Sequence, residues 1–170
     1  MNRIVPAFVL SSVISLAVAQ RVRVDFDHAC NFANYHTYSW AEQPDGQPMN
    51  QLMTQRVAAF VEEALAAKHL RRVPSGGDLL IHFQMRVSEQ EQYITYTNGF
   101  GFGWNWGSTI STTTSDPFLE GALTVDLVDA RRNQLVFQGV STDYVSSKPQ
   151  KNTKRLAKGV NKIFEKYPPR

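Results

Sequence analysis

Hydrophobic positions recur along this chain with two different periods, and the period assigns the elements. Val22, Val24 and Phe26 alternate with Arg21, Arg23 and Asp25, as in a strand with one buried face. "DHACNFAN" reads as a turn, and "YHTYSW", Tyr35 to Trp40, is β-prone by composition and predicts a second strand. "AEQPDGQP" punctuates the chain with Pro44, Asp45, Gly46 and Pro48. From Met49 to Leu70 the period lengthens. Met53, Val57, Phe60, Val61, Ala64 and Leu65 recur at helical spacing, so an amphipathic helix is expected there, with "PSGGD" stopping it.

Leu79, Ile81, Phe83, Met85 and Val87 then alternate with Leu80, His82, Gln84, Arg86 and Ser88, the clearest strand pattern in the chain. It continues through Gln92 to Thr97, breaks at Asn98-Gly99 and resumes over Thr109 to Thr114, so the Gly/aromatic stretch between is expected at the tip of a long antiparallel hairpin. Asp116-Pro117 suggests a further turn. Leu123, Val125 and Leu127 mark one face of the next strand, Asp129 to Asn133 a turn, and Leu135 to Tyr144 a returning strand. Leu156, Val160, Ile163, Phe164 and Tyr167 form the apolar stripe of a last helix, ended by Pro168-Pro169. The predicted fold is α+β: an antiparallel-rich sheet of about six strands, one face covered by the Met49 to Leu70 helix and the Lys151 to Tyr167 helix.

The first nineteen residues stand apart from this pattern. Arg3, an apolar run from Ile4 to Val18, and Ala17-Val18-Ala19 before Gln20 make a secretory signal peptide with an A-x-A cleavage site. The run falls short of the roughly 20 residues that span a bilayer. The expected mature chain is therefore residues 20–170, a single domain, periplasmic or secreted, with no transmembrane span. The whole chain has 18 Lys and Arg against 15 Asp and Glu, and losing Arg3 with the leader leaves +2, a balance that implies no nucleic-acid partner. One cysteine, Cys30, excludes an internal disulfide.

Three stretches carry a resemblance: "VDFDHACNFANYHTYSW", "GALTVDLVDARRNQLVFQG" and "IFEKYPP". In this order and spacing the chain resembles the Domain of Unknown Function 4136 family, from about Val22 to Pro169. An aromatic Gly-rich stretch before Glu120-Gly121 is also typical of that family. The resemblance implies a bacterial cell-envelope protein, lipoprotein-like, and brings no activity and no catalytic residues to transfer. Lipid-anchored members have an acceptor cysteine where this chain has Gln20.

Candidate chemistry adds little. His28, Cys30 and His36 lie close, but H-x-C-x5-H matches no zinc spacing and lacks a fourth ligand, so no metal and no cofactor is expected. Glycines 99, 101 and 103 do not complete a phosphate loop, because positions 104 and 106 are Trp and no helix follows. No Gly-x-Ser-x-Gly elbow is present. Asp129 is expected to open a turn and Asp126 to point outward. An uncharacterised periplasmic hydrolase is the opposed reading and would need a pocket in which a histidine meets a nucleophile or paired carboxylates. Lys151, Lys154, Arg155, Lys158, Lys162 and Lys166 give the last helix a basic outer face.

The stretch from Asn98 to Gly107 is where binding is expected. Phe100, Phe102, Trp104 and Trp106 place large rings on a backbone loosened by Gly99, Gly101, Gly103 and Gly107. Two readings stand: the rings fold back onto the sheet, or they meet an envelope protein, glycan or membrane surface. The second is favoured because the stretch has no charged group to orient a small substrate. The expected protein is exported, non-enzymatic, and binds or scaffolds through this tip.

Overall fold

The computed structural model describes residues 20–41, 51–98 and 110–169. Its strands are β1 (Arg21–Phe26), β2 (Thr37–Trp40), β3 (Arg71–Arg72), β4 (Leu79–Asn98), β5 (Ile110–Asp129) and β6 (Gln134–Tyr144). Its helices are α1 (Gln51–Ala66) and α2 (Pro149–Glu165), with a single 3-10 turn at Phe32–Asn34. The strands form one sheet in the order β1-β6-β5-β4-β2-β3, and both helices cover one face, as the alternating and helical patterns predict. β1, β6, β5 and β4 pair antiparallel. β2 is parallel to β3 and β4, because the helix between them carries the chain back to the end from which β2 started.

The core lies between sheet and helices. Ile81 and Phe83 of β4 and Val125 and Leu127 of β5 face Val57, Val61 and Leu65 of α1 and Val160, Ile163 and Phe164 of α2, all buried. The predicted strand face is thus correct as far as the helices reach. Met85 is half-buried, and Val87, two residues on, is 60% exposed because β4 has run past the cover. Val136 and Phe137 are consecutive yet both fully buried. A bulge between Leu127 and Val128 in the β5–β6 register inserts the extra residue that breaks alternation there.

Two punctuation marks act differently from expectation. Helix α1 ends at Ala66, ahead of "PSGGD", because His69 adopts the left-handed conformation with φ 64°. His69 N–H then donates to the Ala66 carbonyl (2.9 Å) and Leu70 N–H to the Leu65 carbonyl (3.1 Å), a Schellman stop. Leu70 and Leu65 are both buried beneath it. "PSGGD" instead joins β3 to β4, and Gly77 is required there: a Cβ would lie 2.5 Å from the Tyr38 carbonyl carbon and 2.6 Å from the Ser39 nitrogen, atoms that cannot yield.

The second is Asp116-Pro117, which is no turn: β5 runs straight through it, with Pro117 opposite Glu91. Val145 N–H donates to the Leu119 carbonyl at 2.7 Å, so by strand alternation the Pro117 nitrogen also points to the β6 side. β6 has ended there, at Tyr144, and no ladder bond is lost to the missing N–H.

Candidate functional site

Phe100, Phe102, Trp104 and Trp106 lie outside the described residues. Their support is described. β4 and β5 pair continuously from Leu79 opposite Asp129 to Asn98 opposite Ile110, so residues 99–109 connect the far ends of a long hairpin. β6 accompanies β5 only from Glu120 onward, and β2 accompanies β4 only over Leu79 to Ile81. Beyond Ser88, opposite Glu120, the two strands continue as an arm of ten residue steps on β4, roughly 33 Å at strand rise.

A polar cluster that sequence reasoning missed ties the opposite end of the sheet together. Asp129 closes the β5–β6 turn as expected, its Oδ1 accepting from the backbone N–H of Arg131 (2.9 Å) and Arg132 (2.8 Å). Its Oδ2 accepts from the Tyr35 hydroxyl (2.8 Å) and Arg132 Nε (3.0 Å). The Arg132 backbone N–H first, then the Tyr35 hydroxyl, hold the carboxyl down at about 2. Burial, followed by hydrogen bonds with Cys30 and Asp129, pushes the Tyr35 phenol well above its ordinary range. Four donors occupy the roughly four lone-pair positions of one carboxylate, which leaves it no place to take a substrate proton. Sequence spacing could not announce the cluster: Tyr35 and Asp129 are 94 positions apart.

Cys30 belongs to this cluster and not to the histidines. Its Sγ is 3.1 Å from the Tyr35 hydroxyl, whereas the His28 ring lies 4.3 Å from Phe26 and His36 Nδ1 is 3.2 Å from the Asn34 carbonyl. Asp78 closes a second polar joint by accepting from the backbone N–H of His36 (3.1 Å) and Thr37 (3.0 Å) and from the Thr37 hydroxyl (2.8 Å). The His36 N–H, then the Thr37 hydroxyl, lower its carboxyl below the ordinary value.

On the sheet face away from the helices, Asp126 accepts from Gln138 Nε2 (2.8 Å), and His82 Nδ1 stands 3.9 Å from its other oxygen. Where the helices end, Met53, Met85, Leu123 and Leu156 line an apolar cleft of about 140 Å³. Gln20 projects into its wall, donating to the Arg155 carbonyl (2.9 Å) and Ser141 (3.3 Å), while its own Oε1 is buried with no hydrogen-bond partner among the described residues. On α2, Lys151, Lys154 and Lys158 are exposed, while Arg155 turns inward to the Tyr144 carbonyl (2.6 Å).

Fold and arm together define a two-layer α+β protein with one open sheet face and a projecting β-ribbon, and no helix among the described residues is long and apolar enough to cross a membrane. The chain belongs to the family described as a domain of unknown function, DUF4136, which matches residues 22–169. No curated protein matches it by sequence. Among solved structures it is similar to a PDZ domain protein from Parabacteroides distasonis, with a TM-score of 0.61 and 10% identity over 89% of this chain. It spans only 36% of that protein's length, and the likeness is one of fold. A PelC dodecamer from Paraburkholderia phytofirmans matches with a TM-score of 0.48 and 13% identity, over 85% of this chain and 94% of that one. A putative neuraminyllactose-binding hemagglutinin homolog from Helicobacter pylori matches with a TM-score of 0.40 and 11% identity, over 80% and 87%.

Proposed function

We propose that this is an exported cell-envelope protein, periplasmic or secreted after cleavage behind Ala19, that binds an envelope component without catalysing a reaction. The contact is made by Phe100, Phe102, Trp104 and Trp106. The observation that carries the reading is the hairpin itself. A ribbon paired without interruption carries its described ends, Asn98 and Ile110, well beyond the strands that flank its base, a costly arrangement for a pair that only reverses the chain. Large rings on such a support offer apolar area to a partner, a glycan or a lipid interface. The joints at Asp129 and Asp78 support the non-enzymatic part, since both carboxylates are committed to holding loops.

Replacing all four aromatics by Ser is expected to leave the thermal midpoint nearly unchanged and to abolish retention on isolated envelope material. A large drop in the midpoint would assign the rings to the core instead. Export is checked by mass spectrometry of the mature N-terminus, expected at Gln20 and without a lipid adduct.

A further inference from the structure

The chain segments that follow β1, α1 and α2 meet beside the Asp129 cluster, at the end of the sheet opposite the arm. Within residues 30–35, 68–70 and 167–169 they line a hollow of about 430 Å³, a size that suits a small molecule. Part of its wall is aromatic and fixed by the core. Tyr167 stands edge-on to Phe32, ring centres 5.6 Å apart, and to Phe137 at 5.3 Å. Lys68 supplies a cation, and among the described residues no carboxylate pairs with it or lines the hollow. Tyr167 is 3% exposed, yet none of the described residues hydrogen-bonds its hydroxyl. Burial, then the neighbouring Cys30, pushes this phenol well above its ordinary range, so the hydroxyl keeps its proton and remains a donor. A buried donor is costly to leave unserved. Acceptors are scarce on the same wall: the Asn31 side-chain oxygen is taken by the Ala33 N–H (3.1 Å), and the Tyr35 hydroxyl is already engaged with Asp129 and Arg132.

We propose that this hollow binds a small carboxylate carried on an aromatic ring, the ring lying against Phe32, Leu70 and the two prolines and the carboxylate accepting from Lys68 and the Tyr167 hydroxyl. A carboxylate brings acceptors only, which is what two donors in an acceptor-poor wall require. A sugar would bring hydroxyl donors that find few acceptors, and an amine would meet Lys68 with like charge. The flat ring matches walls built from rings and prolines. A free aromatic acid and the C-terminal aromatic residue of a peptide present this same chemistry. No residue of the proposed envelope contact takes part.

The proposal is tested on the full chain by calorimetric titration and amide-shift mapping with phenylacetate, its neutral amide phenylacetamide, and N-acetylphenylalanine as the mimic of a peptide end. Phenylacetate is expected to saturate with Kd at or below roughly 1 mM, shifting the amides of Phe32, Lys68 and Tyr167. Phenylacetamide should bind at least about tenfold more weakly, having lost the charge. Tighter binding of N-acetylphenylalanine than of phenylacetate assigns the site to a chain end, and the reverse order to a free acid; both support it. Lys68→Met keeps an apolar stem without the charge, and Tyr167→Phe keeps the ring without the hydroxyl; each should weaken phenylacetate at least about fivefold. Because no described residue holds that hydroxyl, Tyr167→Phe should leave the thermal midpoint unchanged, which a structural role would not. The variant with Ser at positions 100, 102, 104 and 106 should bind phenylacetate like the parent, so failure of the envelope contact and failure of this site are read separately. No saturable binding up to roughly 10 mM overturns the proposal. So do equal affinities for phenylacetate and its amide, shifts confined to other parts of the chain, or both single variants binding like the parent.

Discussion

A single carboxylate, Asp129, joins the β5–β6 turn to the loop after β1. Two backbone N–H groups would lie uncompensated without it, and the Tyr35 hydroxyl and Arg132 would lose their common acceptor. Its role in the turn is legible from position, Asp at the start of "DARRN"; its bond to Tyr35 is not, because nothing local couples residues so distant in sequence. The carboxyl falls from its ordinary 3.8 to about 2 in the folded chain, so folding favours the ionised form. Its stabilising contribution is therefore complete above about pH 4 and is lost as pH falls through about 2. Asp129→Asn is expected to be less stable than the parent at pH 7, and the gap should close between about pH 4 and pH 2. Urea midpoints at several pH values check this; a gap independent of pH would mean the charge contributes nothing.

Both helices and the long strands formed where periodicity placed them, while the short β3 at Arg71–Arg72 had no periodic signal, and several ends were set by backbone chemistry. The apolar stripe of α1 was readable from Met53 to Leu65, yet the stop at His69 was not, because a histidine in left-handed conformation carries no signal comparable to glycine's. That conformation is costly for a residue with a Cβ. His69→Gly should accordingly raise stability by roughly 0.5–1 kcal/mol, seen as a higher urea midpoint with an unchanged slope. A loss would mean that the His69 side chain contributes more than its strain costs. Asp116-Pro117 teaches the converse. Its turn chemistry is real, but β4 offers a full ladder on one side and β6 has ended on the other, so the proline is accommodated inside a strand.

At the scale of the whole molecule, one sheet face carries the core and the other meets solvent. Phe83 is 3% exposed and meets the Trp40 ring edge-on at 5.7 Å, while His82 points to the opposite face beside Asp126. Phe83→Ala should cost on the order of 3–5 kcal/mol, as truncation of a buried aromatic does. His82→Ala should cost well under about 1 kcal/mol, since at 3.9 Å its ring makes no hydrogen bond to Asp126, which Gln138 already serves, and it is removed from no packed core. Equal losses in denaturant melts would contradict the two-layer arrangement. The sequence by itself determined both helices and every strand but β3, the buried faces of β1, α1 and α2 and of β4 and β5 beneath the helices, the α+β class and the family resemblance, because all of these follow from local period and local motif. Tertiary structure alone decided the parallel placement of β2, the early end of α1, the continuity of β5 through Pro117, and the meeting of Tyr35, Cys30, Asp129 and Arg132. Each of those depends on which strand lies alongside which, and strand order is set by the packing of the whole sheet against its helices, a long-range balance that no local window of residues contains.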